Sequence, residues 1–259
     1  MGIRSYFTLK EYLSLEISHN LILSKPGDQY LISFPRSGNT WMRTMLGVLI
    51  NPSAEGNPDF TQKRIPGISI SRIQDIRKQS PPRIIKSHTW YRSDISRAVY
   101  LVRDGRDVLI SLYHFYITRE NKKISFADFY AAYSKGHYGQ LWHENVESWM
   151  IHGKEKMEDD LMVIRFEDLK SDTISILRAT ADFLGIPYGE VELAQAKNWA
   201  DIDRMRKIET ERKGPIENKQ ASFYRGGKTG EWKSYFDSRI EEEFIKQSGS
   251  ALEIAGYKV

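Results

Sequence analysis

The sequence predicts an α/β fold: three layers, α/β/α, around a central, mostly parallel sheet that carries a phosphate-binding strand–loop–helix. Two observations predict it. Short apolar runs alternate with longer amphipathic ones three times along the chain, which is the pattern of βαβ units. The first of these units turns through Pro35-Arg36-Ser37-Gly38-Asn39-Thr40, a small-residue loop suited to presenting backbone amides to an anion at a helix N-terminus.

In the first unit Gln29–Phe34 is the strand, Pro35–Asn39 the turn and Thr40–Ile50 the helix. Trp41, Met45 and Leu49 recur at i, i+4 and i+8, Met42 and Leu46 widen the stripe, and Asn51-Pro52 ends it. Arg83–Lys86, just after Pro81-Pro82, reads as a further strand. The second unit runs from a strand at Ala98–Val102 through Arg103-Asp104-Gly105-Arg106-Asp107 into a helix at Val108–Arg119. The third places a strand at Leu161–Phe166, an acidic turn, and a helix from about Leu169 to Leu184, closed by Gly185 and Pro187. Two polar stretches remain, Asn51–Ser80 and Lys207–Gly230. The second mixes basic and acidic side chains with little apolar patterning, so a mobile loop or lid is expected there. No repeat or Gly/Ser linker divides the chain, so a single domain over 1–259 is expected.

Composition narrows the function. Hydrophobic residues at 40% and charged residues at 28% lie in the globular range and exclude a disordered chain. The absence of cysteine excludes disulfides, thiolate zinc sites and thiol catalysis. A net charge of +4 is too small to argue for a nucleic-acid partner. Glu11, Glu16 and Lys25 interrupt the N-terminal apolar residues, no run approaches a membrane span, and Tyr6 fits myristoylation poorly. A soluble, cytoplasmic protein is expected, without membrane insertion.

The chemistry concentrates at predicted strand ends. The amides of Ser37 to Trp41 would point at one spot, where the helix dipole adds partial positive charge. Gly38 lets backbone approach an anion, Ser37 and Thr40 add hydroxyls, and Arg36 adds a fixed charge. The loop lacks the lysine of G-x-x-x-x-G-K-[ST], so the usual site for a magnesium nucleoside triphosphate is missing. Arg103 ends a strand and Ser111 follows in the next helix, a pair suited to a second phosphate. Taken alone the pair is more simply a surface arginine and a helical serine. Asp104 and Asp107 read as helix caps or partners of Arg106, not as catalytic acids. Of six histidines only His88 sits at a predicted strand end, two residues past Lys86, where it would take a proton from a hydroxyl.

Together, Ser33–Trp41, Ile85–His88, Val102–Ser111 and Tyr224–Phe236 resemble, in this order and spacing, the signature segments of sulfotransferases that use 3′-phosphoadenosine 5′-phosphosulfate; His137–Trp149 adds a weaker family-like segment. The resemblance implies a sulfuryl transfer from that donor, leaving 3′,5′-adenosine bisphosphate, to the hydroxyl of an alcohol, phenol or sugar. It implies that Arg36, Ser37, Gly38, Asn39, Thr40 and Trp41 hold the 5′-phosphosulfate. Arg103 and Ser111 would match the family's 3′-phosphate pair and Arg225, Gly226 and Gly227 its late Arg-x-Gly segment in the donor site, with Trp41, Phe166 and Ile202 to Met205 near the adenine. His88 would be the general base, Arg36 and Lys86 would stabilise charge, and no metal would be needed. A small-molecule or glycan acceptor is the expected partner, with Tyr113, Phe115, Tyr116, Phe129, Tyr130, Tyr133, Tyr138 and Trp142 as candidate lining and at least half of them as core. The chain departs from the family pattern at three positions: Arg36 and Gly226 stand where lysine is usual, and Phe166 where tyrosine is common. No family dimer motif is found, so no oligomeric state follows. A kinase-like phosphotransferase and a catalytically impaired nucleotide-binding homologue are the alternatives.

Overall fold

β1 (Gln29–Ser33), β2 (Ile84–Ser87), β3 (Ala98–Val102) and β4 (Leu161–Arg165) pair in parallel in the order β2-β1-β3-β4. The computed structural model describes residues 24–68, 73–80, 82–213 and 223–259. The reading of the N-terminal segment falls mostly on 1–23, outside the described residues. β1, β2 and β3 are covered on both faces, which is why they are near-continuous apolar runs rather than alternating ones. Successive side chains still part company: Tyr30 and Ile32 enter one core, Leu31 the other, and Tyr100 and Leu101 divide the same way.

Helices fill both faces. α1 (Asn39–Ile50) is followed by α2 (Pro58–Arg64), α3 (Ile73–Lys78), α4 (Gly105–Arg119), α5 (Phe126–Tyr133) and α6 (Trp142–Glu147). A π-helical turn, Ser148–Gly153, leads into α7 (Lys154–Met157). Then come α8 (Phe166–Ser171), α9 (Thr173–Leu184), α10 (Glu190–Trp199), α11 (Ile202–Lys213) and α12 (Ser238–Ile254). α1, α9 and α10 bury Met42, Met45, Leu177 and Leu193 on one face of the sheet. α4, α5, α6 and α12 bury Leu112, Phe129, Trp142 and Phe244 on the other. The predicted three layers are present. Among the described residues no helix is long and apolar enough to cross a membrane.

Beyond shifts of a single residue at the ends of β1, α1, β2 and β4, three readings change, each for a local reason. The expected helix from Leu169 to Leu184 is two helices, because Asp172 leaves helical geometry and its carboxylate accepts from Ser175 N to start α9 afresh. The second-unit helix begins at Gly105 and not Val108, since Asp104 caps it by accepting from Arg106 N at 2.9 Å. The expected loop beginning at Lys207 is helix as far as Lys213. Its sequence signal is weak because only Met205 and Glu209 are buried among its described side chains, and one of those is a carboxylate. Residues 214–222 of that stretch lie outside the described residues.

Candidate functional site

The loop after β1 owes its shape to two left-handed residues, Arg36 at φ 71° and Gly38 at φ 95°. Glycine is required at the second. A Cβ there would stand 2.6 Å from Cδ2 of Phe166, inside van der Waals contact, as well as being strained. Two amides expected to face an anion are spent inside the loop: Ser37 N donates to Phe34 O at 3.3 Å and Trp41 N to Gly38 O at 3.0 Å. The amides of Gly38, Asn39 and Thr40 remain as the open donors at the α1 N-terminus, where the first turn of any helix lacks internal partners. Asn39 turns its side chain inward and donates to Leu31 O at 3.1 Å, tying the loop to its own strand.

His88 follows β2 directly and is buried. Its Nδ1 lies 2.6 Å from the carbonyl oxygen of Ser33, at the end of the neighbouring strand β1. A carbonyl only accepts, so Nδ1 carries the proton and Nε2 is the nitrogen with the lone pair. Lys86, buried in β2, is held by backbone bonds on its outer side: Lys86 N donates to Pro66 O and Ile68 N donates to Lys86 O.

Arg103, just past β3, stands on the opposite flank of the loop. Its Nη1 donates to Arg36 O at 3.3 Å and its Nη2 to Lys228 O at 2.7 Å. The guanidinium lies 4.6 Å from the centre of the Phe166 ring. Burial pushes the Arg103 pKa down from its ordinary value, opposed by Asp107 and Glu167 nearby. Arg36 reaches toward the same flank, where its Nε donates to Ser111 Oγ at 3.1 Å and its Nη2 to Phe223 O at 2.8 Å. The rings of Phe223 and Phe115 lie 4.2 and 5.2 Å from that guanidinium. A planar fork between two acceptors and two rings is a job an ammonium group does poorly, which accounts for arginine here.

Phe166 joins the loop to the late segment. Its ring meets Trp41 edge-on at 5.9 Å, and a Cβ on Gly227 would stand 2.7 Å from its Cζ. The ring is therefore flanked by two glycines, Gly38 and Gly227 (φ 56°), and Gly226 beside it also has positive φ, 129°. Besides Arg36 and Arg103, four side chains hold the late segment through long-range contacts that no sequence pattern announced. Arg206 donates to Tyr224 O and Arg225 O, and Glu209 accepts from Phe223 N. Lys170 donates to Gly227 O. Asp107 accepts from Gly230 N at 2.7 Å and Trp232 N at 3.1 Å, so it anchors this segment instead of partnering Arg106; Asp104 does the latter. Burial raises the Asp107 pKa, opposed by those two amides and Arg103. Arg225 forms an ion pair with Glu231 at 2.6 Å. Met205 is core, packed in the same cluster as Trp41 and Tyr224, and Ile202 opens α11.

The carboxyl edge of the sheet thus collects His88, the loop, Arg103 and Phe166 in the order of its strands. The donor set suits a multiply charged anion. Ser37 Oγ and Arg103 Nε are buried with no partner among the described residues, and an unmet buried donor costs about 1–3 kcal/mol until something fills it. Of the eight aromatic candidates for an acceptor wall, Phe129, Tyr130, Tyr133 and Trp142 are core, while Tyr113, Phe115, Tyr116 and Tyr138 are half-buried.

Comparison with known proteins matches residues 26–253 to the family described as sulfotransferase domain. The mouse sulfotransferase 1B1 is 26% identical, over 89% of this chain and 86% of that protein. A flavonol sulfotransferase-like protein of Flaveria bidentis is 27% identical, over 86% and 81%. Among solved structures, a mouse sulfotransferase complexed with PAP superposes with a TM-score of 0.67 at 22% identity, over 94% of this chain and 91% of that one. A retinol dehydratase in complex with retinol and PAP superposes at 0.71 with 20% identity, over 96% and 87%. These two likenesses bear on the fold.

Proposed function

The chain belongs to the sulfotransferase family, and on that premise we propose that it moves a sulfuryl group from 3′-phosphoadenosine 5′-phosphosulfate to a hydroxyl oxygen, with His88 as the base. The family match sets the kinase-like alternative aside. The observation that carries the reading is the His88 Nδ1 to Ser33 O bond of 2.6 Å. It fixes the tautomer in which Nε2 accepts a proton, and it does so at the first residue past the strand beside the anion loop.

In this reading the open amides of Gly38, Asn39 and Thr40, with the α1 dipole and Ser37 Oγ, hold the 5′ end of the donor. Arg103, Ser111 and Arg225 hold the 3′-phosphate, and Gly226 and Gly227 let backbone come close. Trp41, Phe166, Ile202 and Met205 bound the adenine. The acceptor oxygen bonds to sulfur as the bond from sulfur to the nucleotide phosphate oxygen breaks, and the hydroxyl proton passes to His88 Nε2. Lys86 stabilises charge on the sulfuryl and bridging oxygens, whereas the Arg36 guanidinium, expected beside it, is held on the Arg103 flank by Ser111 Oγ and Phe223 O and adds its charge from there. Two of these structural neighbours support this donor, since each was solved in complex with PAP. An alcohol or phenol on an apolar frame fits the half-buried rings of Tyr113, Phe115, Tyr116 and Tyr138. Labelled sulfate transfer to a panel of phenols, alcohols and glycans tests activity and acceptor class together. His88→Ala should lower turnover at least 100-fold while its dissociation constant for 3′,5′-adenosine bisphosphate stays within threefold. Near-normal turnover would remove the base.

A further inference from the structure

We propose that Asn145, seconded by Gln140, is a positioning residue that aims His88 by gripping the peptide groups on its far side. The proposal rests on His88 being the base. Ser33 O holds only the ring of His88; the backbone that carries the ring must be held separately. Gln140 Nε2 donates to His88 O at 2.9 Å, and Asn145 Nδ2 reaches His88 O at 3.4 Å and Thr89 O at 3.2 Å. Two facing carbonyls settle which end of the Asn145 amide points at them, because only the NH₂ end donates. The other end, Oδ1, accepts from Tyr100 OH at 2.9 Å, so Asn145 is pinned to β3 while it grips the residues after β2. Asn145 and Tyr100 are wholly buried and Gln140 nearly so.

A second grip continues the first. Trp149 Nε1 donates to Thr89 O at 2.8 Å, and Ser148 Oγ accepts from Tyr91 N at 2.8 Å. Both residues lie on the π-helical turn Ser148–Gly153, a rare geometry that recurs at functional sites. Trp149 is itself clamped, stacked on Tyr100 at 5.4 Å and edge-on to Tyr91 at 5.7 Å. Every hydrogen bond in this network ends on the three residues 88, 89 and 91 or on another network member. A buried apolar core would have been simpler to fold, so polar groups satisfied on one short segment mark it as needing precise placement.

The test uses the full chain labelled with ¹⁵N-histidine. Long-range ¹H–¹⁵N spectra report the His88 tautomer, with His88→Gln identifying its signals. Wild type should show the Nδ1–H form. Asn145→Asp keeps the shape but faces both carbonyls with oxygen. It should blur that tautomer and lower kcat by about 10- to 100-fold, with acceptor KM and nucleotide affinity within threefold. Gln140→Met, a milder change, should lower kcat about 3- to 10-fold in the same pattern and keeps the test open if Asn145→Asp does not fold. An unchanged tautomer with kcat within twofold of wild type in a folded variant overturns the proposal. So does an equal loss of nucleotide affinity. Wild-type turnover in His88→Gln would instead sink the base itself, a result independent of either amide variant.

Discussion

Arg103→Met separates the two anion sites with one ligand pair. Arg103 places two of its N–H groups on Arg36 O and Lys228 O, whereas its buried Nε has no partner. If this side chain meets the 3′-phosphate, the variant loses at least one hydrogen bond to a charged group, which is roughly 1.5–3 kcal/mol, or about 10- to 150-fold in affinity. Calorimetric titration with 3′,5′-adenosine bisphosphate and with adenosine 5′-monophosphate isolates the effect, since the second ligand lacks the 3′-phosphate. Wild type should prefer the bisphosphate; Arg103→Met should lose most of that preference while binding of the monophosphate stays within about threefold. The unliganded variant should melt close to wild type, because it sheds the cost of a buried charge along with two hydrogen bonds. Equal weakening of both ligands would refute the assignment and make Arg103 a scaffold for the loop. An undiminished preference would refute it outright.

Gly227→Ala should weaken bisphosphate binding at least tenfold by calorimetry, because its Cβ at 2.7 Å displaces the Phe166 ring and its φ of 56° strains an alanine. Arg206→Met removes the donors to Tyr224 O and Arg225 O, so nucleotide affinity should drop about tenfold, again read by calorimetry. His114, buried against Tyr235, has its pKa pushed down to about 4, chiefly by burial and then by Arg225. The unfolded chain takes up that proton first, near pH 6.5, so stability should fall as pH drops from about 6.5 toward 4. By pH 5 the loss is on the order of 2 kcal/mol. Urea unfolding at pH 7.5 and 5 should show it in wild type and lose that share in His114→Gln.

The parts of the site legible in sequence were those written as local pattern. A strand, a glycine turn and a helix announce the loop, and His88 and Arg103 are recognisable because each follows an apolar run. Residues whose function is a contact across the chain were not legible. Asp107 looked like a helix cap because nothing local says that its carboxylate meets amides at Gly230 and Trp232. Asn145 lay within a family-like segment, yet its role depends on carbonyls at 88 and 89 that only folding brings to it. Glu209 argued for a solvated loop, whereas in the fold it is buried on the Phe223 amide. Polar groups mislead a hydrophobic-period reading whenever their partner is distant.

Strand order explains why this edge can divide labour. β1 has β2 on one side and β3 on the other, and neighbouring strands lie about 4.8 Å apart. The loop after β1 therefore has His88 one strand away and Arg103 one strand away in the opposite direction. Ile32 pairs with Ser87 and Ser33 with Leu101, so His88 is level with Ser33 while Arg103 lies beyond it. That register brings the imidazole to the Ser33 carbonyl and the guanidinium to the Arg36 carbonyl. A one-residue slip of β2 would turn His88 to the other face of the sheet. The bonds of Lys86 to Pro66 and Ile68 on the outer side, and the grip of Gln140 and Asn145 beyond the strand end, resist that slip from both directions. The imidazole proposed as the base is thus placed by backbone register first, and its tautomer is chosen by the neighbour that register supplies.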